Sequence, residues 1–169
     1  MSPNILVAYA TSHGSTQEIA NVIAETLRSN GLTVELRTLR SVQSLEGYRG
    51  LVIGAPLYMF RWHNDARSFI KKYQKTLNSL PVAVFAGGPF GEQSSPQDWQ
   101  EVSDKFNQEL ASFTGFKPCT VEIMGGKFDP SHLHFPWNWV PALRSMPASD
   151  LRDWDKIRAW ASGLTPLFN

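Results

Sequence analysis

The sequence predicts an α/β domain whose parallel sheet is covered by helices on both faces. Three observations carry that expectation. Short apolar runs alternate with amphipathic helical stretches along the chain. Glycine, proline and hydroxyl residues punctuate the joints between them. The length, 169 residues, suits one domain, taken here as 1–169 with an irregular insertion at about 125–149.

The elements follow in order. Residues 4–10 form a short apolar run bounded by polar residues, as expected of a strand buried on both faces. Past Gly14 the period changes: Ile19, Val22, Ile23 and Leu27 share one face of a helix. Ser15 followed by Glu18 predicts a capping box at its start, and Asn30-Gly31 a stop at its end. Residues 32–39 alternate as a second strand, and 50–55 form a third. Ala66, Phe69, Ile70, Tyr73 and Leu77 mark a helix that ends before Pro81, and Val82–Ala86 make the fourth strand. Ser95-Pro96 reads as the cap and first residue of a helix with its stripe at Trp99, Val102, Phe106, Leu110 and Phe113. A fifth strand covers 117–124 and is expected to bury Cys119. The last helix, 150–163, carries Trp154, Ile157, Trp160 and Ala161 on one side.

Composition narrows the function classes. The apolar share is 42% and the charged share 18%, as in ordinary globular proteins. Net charge is +1, which argues against a nucleic-acid surface. A single cysteine fits a reducing compartment, and the chain shows neither a signal-peptide pattern nor an apolar run of membrane-spanning length. A cytoplasmic protein with no integral membrane segment is expected. His132 and His134 stand without a cysteine or carboxylate pair to complete a metal site, so no metal is expected.

In an open parallel sheet, ligands bind beyond the carboxyl ends of the strands. Three loops leave such ends. The first, Thr11-Ser12-His13-Gly14-Ser15-Thr16, offers four hydroxyls and a helix N-terminus but no Lys or Arg. Such donors suit a phosphate monoester; plain capping of the helix is the alternative. The second, Pro56-Leu57-Tyr58-Met59-Phe60-Arg61-Trp62, is aromatic. The third, Gly87-Gly88-Pro89-Phe90-Gly91, is rich in residues that permit close backbone approach.

The hydroxyl-rich loop straight after a first strand resembles the phosphate loop of flavodoxins. Val52-Ile53-Gly54-Ala55, Phe69-Ile70-Lys71-Lys72, Leu77-Asn78-Ser79-Leu80-Pro81, Gly87-Gly88-Pro89-Phe90-Gly91 and Arg152-Asp153-Trp154-Asp155 extend the resemblance over nearly the whole chain. Within the superfamily they look most like the flavodoxin-domain group that includes menaquinone-dependent protoporphyrinogen oxidase. The resemblance implies a three-layer flavodoxin-like fold, a five-stranded parallel sheet of order 2-1-3-4-5, and FMN as cofactor. It implies that Thr11, Ser12, His13, Gly14, Ser15 and Thr16 hold the phosphate. Pro56, Leu57, Tyr58, Met59, Phe60 and Trp62 would cover one face of the ring, with Tyr58 and Trp62 stacked on it. Phe60 either joins them or packs on the following helix. Gly87, Gly88, Pro89, Phe90 and Gly91 would approach the ring's polar edge. One departure stands out: flavodoxins usually carry glycine near position 60, where this chain has Phe60.

The implied function is that of an FMN-binding redox protein. The flavin supplies the electron chemistry, so no catalytic acid or base is named. Its partners would be a quinone, a small molecule or porphyrinogen, or, if it is an electron carrier, a redox partner protein. Carriers of this kind usually show an acidic face around the ring, whereas the ring loops here carry Arg61 against Glu92. In the insertion, Phe135, Trp137 and Trp139 alternate. Either this segment folds back and buries its rings on the sheet, or it presents an apolar patch that shapes access to the flavin.

Overall fold

The computed structural model describes residues 4–88, 95–133 and 135–169. Its central sheet contains β1 (Ile5–Tyr9), β2 (Val34–Thr38), β3 (Gly50–Tyr58), β5 (Val82–Gly87) and β6 (Thr120–Ile123), all parallel, in the order β2-β1-β3-β5-β6. A two-residue strand, β4 (Arg61–Trp62), turns back antiparallel on the end of β3. Counting the five parallel strands alone, the order is the expected 2-1-3-4-5.

Alternation along β1 shows how the layers form. Ile5, Val7 and Tyr9 point to one face of the sheet; Leu6, Ala8 and Ala10 point to the other. The first face is covered by α1 (Ser15–Ser29) and α5 (Trp154–Gly163), which contribute Ile19, Ile23, Leu27 and Ile157. The second is covered by α2 (Asn64–Leu77) and α3 (Pro96–Ala111) through Phe69, Ile70, Phe106 and Leu110. A strand covered on both sides must be apolar throughout, which is why β1, β3 and β5 read as unbroken runs.

Local signals explain most boundaries. Ser95 accepts from the Asp98 N–H at 3.2 Å while Asp98 accepts from the Ser95 N–H at 2.7 Å, a complete capping box at α3. Asn30 ends α1, with Gly31 at φ 91° behind it. The start of α1 differs from expectation. Gly14, at φ 90°, is the cap, and no side chain caps the helix, so Ser15 is already its first residue and no Ser15–Glu18 box forms.

Two further expectations are corrected. The fifth strand is shorter than 117–124, and Cys119 lies one residue before it, exposed, with its N–H donating to Val82 O at 2.7 Å. The insertion is not wholly irregular. β7 (Lys127–Phe128) and β8 (Ser149–Asp150) pair antiparallel and close its neck, and the stretch between them holds 3₁₀ turns and a short helix, α4 (Pro141–Arg144). Phe135 and Trp139 do not fold back on the sheet: they are 71% and 74% exposed and meet edge to face, 5.4 Å between centroids. Among the described residues no helix is long and apolar enough to cross a membrane.

Sheet packing leaves no room for a side chain at Gly54, where a Cβ would sit 1.9 Å from the Phe85 ring. Gly54→Val is therefore expected to destabilise the fold by about 2–3 kcal/mol through overpacking. Urea denaturation measures this, and an unchanged midpoint would contradict the packing described.

Candidate functional site

The strand order reverses around β1, which in an open parallel sheet is where a ligand crevice lies at the carboxyl end, and the first two loops leave the sheet at that end. α1 points its N-terminus at this edge. The opening N–H groups of a helix have no carbonyl partners within it, and together they carry the positive end of the helix dipole. With no side chain capping α1, those donors remain directed at the crevice. The Thr11 hydroxyl accepts from the Gly14 N–H at 2.8 Å and so folds the loop back across the helix start. Ser12 and His13 are exposed on its rim, Gly14 and Ser15 are half-buried, and Thr16 is buried.

Thr16 joins the first loop to the third. A Cβ on Gly87 would stand 3.5 Å from its Oγ1 and 3.6 Å from the Pro56 backbone, ordinary contact distances at which three chain segments meet. Gly87 and Gly88 are both buried. Pro89, Phe90 and Gly91 lie outside the described residues.

The second loop is a tight hairpin. Tyr58 pairs with Arg61 and Leu57 with Trp62, leaving Met59 and Phe60 as the two turn residues, at φ 50° and 62°. Two consecutive positive φ values make this a turn that matches strand twist and ordinarily takes Asn-Gly. Phe60 thus adopts the backbone region that glycine favours, although it is not glycine. Opposite residues in an antiparallel pair share a face, so Trp62 goes inward with Leu57 while Tyr58 goes outward with Arg61.

That register corrects one assignment. Trp62 is 1% exposed, donates from Nε1 to Ala55 O at 3.0 Å and meets Phe106 edge to face at 5.2 Å. It is a core residue and has no face to offer a flavin. Its backbone N–H reaches Glu109 at 3.4 Å, and Glu109 also pairs with Arg67, whose guanidinium lies over the Phe113 ring. Pro56 and Leu57 are buried as well, so they can meet a ligand only through their backbone. Tyr58, Met59 and Phe60 are exposed at 42%, 89% and 44%. The Tyr58 hydroxyl hydrogen-bonds the Ser12 side chain, which ties the second loop to the first. Burial raises the Tyr58 phenol above its usual range, with the Ser12 bond opposing, so it stays protonated at neutral pH.

Arg152, at the neck of the insertion, lies 137 positions from Ser15, and nothing local in the sequence marks it for this site. Its side chain is 3% exposed. Nη1 donates to Ser15 O at 3.2 Å and to Glu18 at 2.6 Å, and Nε and Nη2 hold both oxygens of Asp150 at 2.9 and 2.8 Å. These bonds hold the Asp150 carboxyl below the usual carboxylate range, so the pair persists at neutral pH and is lost only as acid reaches that lowered range.

Hairpin strain and burial give opposite expected effects. Phe60→Gly relieves a side chain held at positive φ and should stabilise the protein by about 1 kcal/mol. Trp62→Ala empties a core position and should cost about 3–5 kcal/mol. Paired urea titrations compare the two, and a Trp62→Ala protein as stable as the parent would return this ring to the ligand site.

The chain matches the sequence model of the flavodoxin domain over residues 6–136. Among curated proteins it is 30% identical over 83 residues to protoporphyrinogen IX dehydrogenase [quinone] of Escherichia coli strain K12. That match covers 48% of this chain and 46% of the relative, so it spans about half the length of the curated relatives. Among solved structures, oxidised flavodoxin 2 from Bacillus cereus superposes with a TM-score of 0.62 at 20% identity, covering 98% of this chain and 99% of that one. Rubredoxin oxygen:oxidoreductase from Desulfovibrio gigas gives 0.54 at 16% identity over 97% of this chain and 35% of its own.

Proposed function

Because the chain belongs to the flavodoxin domain family, an FMN-binding redox family, we propose that it is an FMN-dependent oxidoreductase acting on a quinone and a small aromatic reductant of the porphyrinogen kind. The crevice fits the cofactor's phosphate: an uncapped helix N-terminus and the Ser12 hydroxyl on the rim form a donor set suited to a dianion, with Thr16 buried behind them. Ser12, His13, Gly14, Ser15 and Thr16 would hold that phosphate, with Thr11 bracing the loop. Tyr58 and Phe60 would flank the ring, and the backbone of Gly87 and Gly88 would lie beside it. When bound, FMN supplies the electron chemistry; the protein binds, orients and shields it.

The observation that carries the substrate class is the character of the exposed surface. Phe60 on the hairpin and Phe135 and Trp139 on the insertion present apolar rings at loops that leave the same end of the sheet. Such surface suits an apolar ring substrate such as a quinone better than it suits docking of a charged protein face. The partial similarity to a quinone-linked protoporphyrinogen dehydrogenase supports the same reading. A carrier between protein partners is the competing assignment, and no membrane attachment is part of the proposal.

Reconstitution with FMN should give a yellow protein that oxidises protoporphyrinogen IX anaerobically when menadione is the acceptor. Bound FMN that is reduced by a flavodoxin reductase but leaves protoporphyrinogen untouched would favour the carrier. Ser12→Ala and Ser15→Ala should each weaken FMN binding about ten- to a hundredfold, the worth of one hydrogen bond to a charged group. Fluorescence titration reads this, and unchanged affinity in the double variant would remove the phosphate from this loop.

A further inference from the structure

The neck of the insertion and the start of α1 meet at one side chain. Gly125 and Leu151 touch so closely that a Cβ on Gly125 would lie 2.3 Å from Leu151 O, and the Leu151 N–H donates to Gly126 O at 2.9 Å. The next residue, Arg152, grips Asp150 of β8 with one edge of its guanidinium. The other edge reaches across 137 positions of sequence to Ser15 O and across 134 to Glu18. Its plane also lies 4.7 Å from the Trp154 ring. A cation this buried, with its side-chain hydrogen bonds divided between the neck and the first turn of α1, is fixed in place by both.

We infer that Arg152 is a positioning residue for the phosphate-binding loop: it holds the first turn of α1 against the insertion's neck and masks the Glu18 carboxylate, which would otherwise oppose a bound phosphate. The inference rests on the FMN reading above and names a residue that reading does not use. Its physics has two parts. Holding the Ser15 carbonyl fixes the turn whose N–H groups face the crevice, so the donors are arranged before the ligand arrives. Glu18 lies in that same first turn, where an anion competes with a ligand phosphate for the positive helix end. Pairing with Arg152 suppresses that competition. The fork of a guanidinium can serve both sides at once, which a lysine ammonium cannot do.

The two parts act on a phosphate and leave an uncharged ligand unaffected, which sets the experiment. Apo-protein is titrated with FMN and with riboflavin, which lacks the phosphate, and binding is read by quenching of flavin fluorescence. Arg152→Ala is expected to weaken FMN about tenfold, the effect of one charge-assisted contact, and to leave riboflavin unchanged. Amide hydrogen exchange at residues 15–19 should quicken in the same variant. Equal losses for both flavins, or no loss for either, would overturn the inference while leaving the FMN reading intact. A parent protein that binds neither flavin would overturn both. If Arg152→Ala does not fold, Arg152→Lys keeps the charge without the fork; it should show a smaller loss, again confined to FMN, and an undiminished preference for FMN would overturn the proposal.

Discussion

A parallel sheet covered on both faces can offer a ligand only its ends, and here the reversal of strand order decides which end and where. The chain leaves β1 in one direction to reach β2 and returns on the other side of β1 to form β3. The connections that follow β1 and β3 therefore diverge, and a crevice opens between them. α1 begins in that crevice because a crossover helix must start where its strand stops. The dipole at its N-terminus, the Thr11 brace, the Thr16–Gly87 approach and the Tyr58–Ser12 bond all follow from this one topological fact.

Much of this was legible because burial writes itself into composition. Strands β1, β3 and β5 are apolar throughout, and the helices that cover them repeat their apolar residues at helical spacing. What escaped depends on single backbone conformations. The Ser15–Glu18 pattern fits a capping box, yet a left-handed Gly14 shifts the cap by one residue. Met59-Phe60 carries none of the Asn-Gly signature of a two-residue hairpin turn, so the register that buries Trp62 could not be read from sequence. β7 and β8 have two residues each, too few for any period to show. Arg152 lies 137 positions from Ser15, and no local pattern reports a contact of that range.

The site divides its labour between stiff and exposed parts. Thr16, Gly87 and Pro56 are buried and set by the sheet, so the end of the crevice proposed to take the phosphate is built on rigid elements. Tyr58, Met59 and Phe60 stand on a turn outside the core, and the insertion's aromatic pair stands further out still. In the proposed reading, recognition of the invariant part of the cofactor rests on the fold, and contact with what varies rests on loops.

Cys119 gives the molecule a chemical polarity. It is the single cysteine of the chain, it is exposed, and it sits where β5 and β6 begin, at the opposite edge of the sheet from the crevice. A thiol-directed dye attached there occupies a known point remote from the ligand loops. An oxidative cross-link through it would join two copies at the ends of their sheets remote from the crevice.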